Sequence, residues 1–436
     1  MDAPLRIGLA GLGTVGTSLI SLLSRQADLL AQRCGRPLQI TAINARDKSK
    51  DRGVSLANMQ WEEDPVALAK SDEIDVFVEL MGGEDDPALS SVTAALEAGK
   101  HVVTANKALL AKHGVALADL AEERGLLLNY EAAVAGGIPI IKVMRESLTS
   151  NAVSRVFGIL NGTCNYILTR METDRISFDE CLADAQALGF AEADPTFDIE
   201  GNDTAHKLAI LASLAFGTRI APDAIYLEGI TSITIEDIEA ARDLGYRIKL
   251  LGVATKTAGG VESRVHPAMV PLGSAIAEIG GVTNAVAVEA DTVGSLMMSG
   301  PGAGGDATAS AVAGDICDIA KSRPGHQHGP VLGQPAGTLL PHERAPMASH
   351  AGGYFIRMST VDQPGTMASI ATRMAQQEIS LESIVQRKVR DDTGAAPIIL
   401  VTHETTEQAI RKALEGIAAD GRLKGEAQMI RIEKLA

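Results

Sequence analysis

Aromatic residues are scarce in this chain: they make up 3% of it, with one tryptophan, Trp61. An excess of positive charge is missing too, since the formal net charge is −16. Few stacking side chains and a repulsive overall field together argue against a nucleic-acid partner. The four cysteines, Cys34, Cys164, Cys181 and Cys317, lie far apart and form no CxxC pair. That excludes a disulfide framework or a cysteine zinc site and fits a reduced compartment. No apolar run approaches the ~18 residues that a membrane span needs. The N-terminus enters a strand-like run, Leu5–Ala10, without the basic and apolar segments of an export signal. The expectation is a cytoplasmic protein with no membrane partner, whose ligands are small molecules met in local basic spots.

What remains is ordinary globular material, 46% hydrophobic and 22% charged, but its 436 residues are too many for one core. Over residues 1–135, short apolar runs alternate with helical patterns, as in a parallel sheet covered by helices. The strand candidates are Leu5–Ala10, Leu38–Asn44, Ile74–Met81, His101–Ala105 and Leu126–Glu131, with helices at Pro87–Ala98 and Lys107–Arg124. Residues 136–321 read as an α+β domain for substrate. It has a strand at Val153–Leu160, helices at Phe178–Leu188 and Asp203–Phe216, strand-like runs from Arg247 to Ala290, and a helix at Asp306–Ala320 after the glycine-rich Gly300–Gly305. Residues 322–349 are rich in proline and glycine and read as a linker. Residues 350–436 then give strands at Gly353–Val361, Ser383–Val389, Ala396–Thr402 and Ala427–Glu433, with helices at Thr366–Gln377 and Thr406–Ala419. That β-α-β-β-α-β order is the ferredoxin-like plan.

The first strand runs into Gly11-Leu12-Gly13-Thr14-Val15-Gly16, then into a helical stretch. Glycines there permit a tight turn and let backbone N–H groups approach a pyrophosphate at the helix N-terminus. A lone GxGxxG is weak, but after a strand and at the head of an alternating α/β domain it points to a Rossmann-type, doubly wound dinucleotide site. The second strand ends Asn44-Ala45-Arg46-Asp47-Lys48, with no carboxylate where a ribose 2′-hydroxyl acceptor belongs. Arg46 could pair a 2′-phosphate, which favours NADP over NAD, unless Asp47 neutralises it.

Four separated segments carry a resemblance: Val103-Thr104-Ala105-Asn106-Lys107, Tyr130–Pro139 (YEAAVAGGIP), Asn161-Gly162-Thr163-Cys164-Asn165-Tyr166 and Gly189–Lys207 (GFAEADPTFDIEGNDTAHK). Taken in order, they resemble the homoserine dehydrogenases from Ile7 to Lys321, and the tail resembles the ACT domain of many bacterial members, with Asp362-Gln363-Pro364-Gly365 as its turn. The resemblance implies a reversible, NAD(P)H-dependent reduction of L-aspartate 4-semialdehyde to L-homoserine, in threonine, methionine and isoleucine synthesis. It also implies a homodimer or homotetramer, and threonine as an effector held by the tail, the alternative being a tail that serves only to pair subunits.

Reducing an aldehyde leaves a developing alkoxide that needs a proton donor and positive charge nearby. Asp203 and Lys207 are four residues apart on one helical face, which on spacing alone describes a surface pair. The resemblance makes Lys207 the proton donor and Asp203 a substrate-binding aspartate. It makes Lys107, at a helix start where the dipole disfavours a cation, a second active-site lysine contacting cofactor and substrate. It assigns Glu192, Asp198 and Thr163 to the substrate, and Thr104, Gly189 and Gly304 to the cofactor, beside Gly11, Gly13, Thr14, Val15, Gly16 and Arg46. It gives Glu131, Val134, Gly136 and Ile138 to a structural sodium or potassium ion, since a carboxylate and main-chain carbonyls suit a hard cation. Asp194 reads as a solvated acidic residue, His326 and His328 as solvated linker residues rather than metal ligands, and His206 as packing or solvated. The competing readings are another amino-acid dehydrogenase with such a tail, and a regulatory amino-acid-binding protein that has lost catalysis. The substrate loop argues against the first, and Lys107, Asp203 and Lys207 together argue against the second.

Overall fold

The structure, a computed structural model, describes residues 2–322, 329–361, 363–386 and 395–434. The N-terminal sheet is wholly parallel. Its strands are β1 (Leu5–Ala10), β2 (Leu38–Asn44), β3 (Gln60–Trp61), β4 (Val76–Glu79), β5 (His101–Thr104) and β6 (Leu128–Asn129), in the order β3-β2-β1-β4-β5-β6. The order reverses beside β1, so a crevice opens at the carboxyl ends of β1 and β4, where such folds bind ligands. All four residues of β4 are buried, as expected for a strand covered by helices on both faces.

The second sheet is larger and mixed. Its first strands are β7 (Val153–Ile159), β8 (Tyr226–Leu227), β9 (Tyr246–Thr257), β10 (Gly260–Pro271), β11 (Thr283–Ala290) and β12 (Gly294–Pro301). The tail adds β13 (Ala351–Val361), β14 (Leu381–Gln386), β15 (Ala395–Thr402), β16 (Thr405–Thr406) and β17 (Gln428–Ile432). The order is β12-β11-β7-β9-β10-β17-β13-β15-β14, with β8 on β10 and β16 on β13. Within the tail, β17-β13-β15-β14 with helices Thr366–Gln376 and Glu407–Ala419 is the expected ferredoxin-like arrangement.

The tail's sheet is not a separate body. β17 runs parallel to β10, with Ala268 opposite Arg431 and Met269 opposite Ile432. The proline- and glycine-rich stretch is likewise no loose linker over its described part. Val331, Leu332, Ala336 and Leu339 are buried, and the Glu122 carboxylate accepts from Val331 N and Ala336 N at 3.1 and 2.8 Å. Val261 N donates to Glu343 O at 2.7 Å. Its prolines and glycines shape turns, so its few apolar residues enter the core without any helical or strand period. His326 and His328 lie outside the described residues.

The pattern reading misses the helix Gly162–Asp174. It opens on Asn-Gly and buries Thr163 through Leu168 almost all round, so no amphipathic stripe marks it. The strand expected at Leu126–Glu131 is only Leu128–Asn129, because Glu131–Ala133 turns into a short 3-10 segment.

Candidate active site

The helix Thr14–Arg25 begins at the end of β1 and is capped by Gly13, with no side chain on its first N–H groups. Gly11 has φ 99°, and a Cβ there would overlap the Leu80 carbonyl. Only glycine fits. Beside Gly13 there is open space, so the unpaired N–H groups of Thr14 and Val15 form a backbone cradle of the kind that holds a pyrophosphate. Gly16 is buried behind it. Arg46, just past β2, is exposed. Among the described residues it forms no ion pair with Asp47, whose carboxylate accepts from Ser49 N and Oγ at 2.8 and 2.7 Å.

At the carboxyl end of β5, buried Thr104 donates to Glu79 at 2.6 Å and accepts from Asn106 N at 3.0 Å. Its hydroxyl thus fixes the strand ends. Asn106 caps the helix Lys107–Glu123 by accepting from Leu109 N, which puts Lys107 first on that helix and facing the crevice. There it meets Asp203 at 3.1 Å. Asp203, on the helix Asn202–Phe216, is 5% exposed. Its other oxygen accepts from Lys207 Nζ at 2.8 Å and Asn161 Nδ2 at 2.9 Å. Lys207 Nζ also donates to Leu160 O at 2.7 Å.

Burial alone would raise the Asp203 carboxyl, but the charges of Lys207 and Lys107, with hydrogen bonds from Lys207 and Asn161, hold it well below the usual carboxylate range. It is therefore an anion at neutral pH. Asp198 goes the other way. Burial and the neighbouring Asp203 charge push it up, despite a 2.8 Å bond from Asn161 Nδ2. Asn161 thus joins both carboxylates, and its Oδ1 caps the helix Gly162–Asp174. Spacing alone gives it no role in the site, although Asn161-Gly162 is a plain cap signal.

These groups face one cavity of about 760 Å³ between the two sheets. It is lined by Val15, Lys107, Gly136, Asn161, Thr163, Gly189, Asp198, Asp203, Lys207 and Gly304, with Leu188, Phe190, Val282–Asn284 and Thr308 among the others. Thr163 Oγ1 donates to Phe190 O at 2.7 Å, tying the Gly189 loop to the floor. Glu192 is exposed and does not line the cavity, and among the described residues only its carbonyl is held, by Gln186. Asp194 is exposed as well. His206 is half-buried against Phe197, ring centroids 5.4 Å apart.

Glu131 is buried behind the cavity, its carboxylate accepting from Ile141 N and Lys142 N at 2.8 and 3.0 Å. Ile138 O accepts from Ile140 N. Among the described residues, the carbonyls of Val134 and Gly136 accept no backbone hydrogen bond. Main-chain carbonyls and a carboxylate are the donor types that a hard monovalent cation takes. No group of three or more His, Cys, Asp or Glu side chains among the described residues could hold a metal ion.

Comparison with known proteins matches the same layout. Residues 11–131 match the NAD-binding domain model of homoserine dehydrogenase, residues 139–317 the homoserine dehydrogenase model, and residues 354–419 the ACT domain. The homoserine dehydrogenase of Neisseria gonorrhoeae is 44% identical over 435 residues, 99% of each chain. The chain belongs to the homoserine dehydrogenase family. It is therefore an oxidoreductase with an NAD(P)-binding Rossmann domain, a mixed-sheet catalytic domain and a C-terminal ACT domain. A crystal structure of the family's member from Thiobacillus denitrificans superposes with a TM-score of 0.93 at 41% identity, covering 99% of each chain. A hyperthermophilic archaeal homoserine dehydrogenase in complex with NADPH, 25% identical, superposes with a TM-score of 0.62 over 72% of this chain and 96% of that one. No helix among the described residues is long and apolar enough to cross a membrane.

Proposed function

We propose that the cavity interconverts L-homoserine and L-aspartate 4-semialdehyde, with Lys207 as the proton-transferring group and Asp203 and Lys107 completing its charge balance. The observation that carries this is Asp203, buried between two lysines from different domains and lining the same cavity as Val15 of the glycine turn. When bound, the nicotinamide coenzyme supplies or takes the hydride. An ammonium has three N–H donors. Asp203 and Leu160 O engage two of Lys207's, leaving one for the substrate oxygen, where it donates as an alkoxide forms and takes the proton back in oxidation. Lys107 adds positive charge beside the same oxygen. Asp198 and Thr163 are the proposed contacts to the substrate's amino-acid end, with Glu192 at the exposed lip of the loop.

The coenzyme lies along Gly11–Gly16, Gly189 and Gly304, with Thr104, fully buried, acting only through the strand end it fixes, and the exposed guanidinium of Arg46 favours NADP. The archaeal relative with NADPH supports that direction. Glu131, Val134, Gly136 and Ile138 would hold a sodium or potassium ion whose part is structural, bracing the turn that Gly137 N ties to Pro301 O at 3.0 Å. The reading extends to four domain segments, 1–135, 136–321, 322–349 and 350–436, to a homodimer or homotetramer, and to a cytoplasmic setting, with all four cysteines free. The ACT domain is the proposed threonine sensor. Its turn reaches Gly365, which is left-handed at φ 89° and heads the helix Thr366–Gln376, while Asp362 lies outside the described residues. Initial rates with homoserine and each coenzyme, with and without threonine, test these assignments together. No homoserine-dependent turnover would overturn the site, and equal use of both coenzymes would overturn the role of Arg46.

A further inference from the structure

Arg431, next to last in β17, is buried with 0% of its surface exposed. Its Nε donates to Glu407 at 2.8 Å, inside the tail. Nη1 and Nη2 cross to the catalytic half and donate to the two oxygens of Glu228 at 2.7 and 3.3 Å. A guanidinium taken fully out of water is tolerated only when paired, and a fork held on both sides fixes the position of its partners.

Glu228 follows β8 and opens a turn that packs beneath the active site. Glu228 N donates to Val265 O at 2.8 Å, and Ile230 N donates to Ile199 O at 2.9 Å. Thr231 Oγ1 donates to Glu200 at 3.1 Å. Between them, a Cβ on Gly229 would lie 2.5 Å from Ile199 O and 2.7 Å from Glu200 Cα. The two segments therefore meet backbone to backbone with no slack. Ile199, Glu200 and Gly201 are the residues that lead from Asp198 toward Asp203. Gly201 is left-handed at φ 87° and caps the helix that carries Asp203 and Lys207.

We propose that Arg431, from the last strand of the tail, is a positioning residue for the substrate site. Through Glu228 it clamps the 228–231 turn under Ile199–Gly201 and so fixes how Asp198 and Asp203 face each other. The tail thereby reaches the catalytic carboxylates by one continuous chain of contacts, in which a shift of β17 against β10 is felt at the site. The inference rests on Asp198 and Asp203 belonging to the substrate site.

The same interface supplies its own control. Arg357 of β13 donates to Asp237 at 2.6 and 2.9 Å. That pair also joins tail to catalytic half, but Asp237 completes the capping box of the helix Ile235–Asp243 by accepting from Thr234 N, and does not hold the turn under the active site. A residue that only glued the tail on would behave like Arg357.

The test is steady-state kinetics on full-length R431M, R431K, E228Q and R357M, with Tm recorded for each. Misplacing reacting groups by about 1 Å costs up to ~10²-fold, so R431M and E228Q should lower kcat/KM for homoserine by about tenfold or more, leaving KM for the coenzyme within about twofold. R431K, which keeps the charge, should recover part of the loss. R357M should keep kcat/KM for homoserine within about threefold at a comparable loss of Tm. If R431M does not fold, E228Q decides from the other end of the contact. A folded R431M or E228Q with kcat/KM for homoserine within about threefold of the parent overturns the inference. So does R357M falling as far as R431M. Full activity in Lys207→Ala would instead sink the site assignment on which the inference rests.

Discussion

Replacing Lys207 by alanine removes the proposed proton donor while sparing the coenzyme cradle. The side chain is 12% exposed, and its ammonium makes two bonds, to Asp203 at 2.8 Å and Leu160 O at 2.7 Å. Its loss leaves Asp203 paired with Lys107 at 3.1 Å, so the carboxylate is not orphaned and the fold should survive. The Leu160 carbonyl loses a partner, which with the lost charge-assisted bond costs about 2–4 kcal/mol of stability. The effect on chemistry is larger. Deleting a general acid–base group lowers kcat by about 10²–10⁴, or roughly 3–5 kcal/mol of barrier at about 1.4 kcal/mol per decade. The assay is the initial rate of homoserine oxidation at saturating substrate and coenzyme, with coenzyme affinity measured separately by fluorescence. Affinity should be unchanged, because no atom of Lys207 belongs to the glycine cradle. A folded variant whose kcat stays within about threefold of the parent would refute the reasoning.

Arg46→Ala should weaken NADP by about tenfold or more and NAD far less, since a charge-assisted pair to phosphate is lost only with NADP; equal losses would reduce Arg46 to a loop residue. Burial, and then Arg247, push the Lys249 ammonium down to about 8. Its folded value lies below the unfolded value of about 10.4, so the stability it contributes is present above about pH 10 and is lost as pH falls through about 8. Lys249→Met removes that dependence. The variant's Tm minus the parent's should fall as pH rises from about 7.5 to about 10, and a flat or rising difference in thermal scans would contradict it. Threonine should lower the full-length enzyme's rate and raise its Tm, because a ligand that binds only the folded state stabilises it; no change in either measurement removes the effector. The full chain is the right material, since cutting away the tail would strip β17 from β10 and leave Glu228 without Arg431.

What could be read from the residues was mostly local. β1 and β2 coincide with the apolar runs Leu5–Ala10 and Leu38–Asn44, and Gly11–Gly16 forms the turn its glycines allow. The tail's β-α-β-β-α-β plan came from period and turn chemistry. The Asp203–Lys207 pair was visible as an i,i+4 spacing, but nothing local tied Lys107 to it, because that contact joins two domains across the crevice. Asn161 was hidden for the same reason: it serves two carboxylates far along the chain. The joining of β17 to β10 leaves no sequence pattern either, since a parallel pairing of two residues on each strand has no turn and no alternation of its own. The glycine- and proline-rich stretch misled for a different reason. Lack of periodicity means lack of helix or strand, not lack of packing, and Val331 and Leu339 are buried within it.

The central claim is that this cavity passes a hydride between homoserine and a nicotinamide coenzyme. Its most direct test is to mix the full-length enzyme with L-homoserine and oxidised NADP, and to follow coenzyme reduction and aldehyde formation together. The account predicts one reduced coenzyme for each aldehyde formed, dependent on homoserine and slowed by about 10²–10⁴-fold in Lys207→Ala. A folded enzyme that binds the coenzyme yet shows no homoserine-dependent reduction of either NADP or NAD would contradict it.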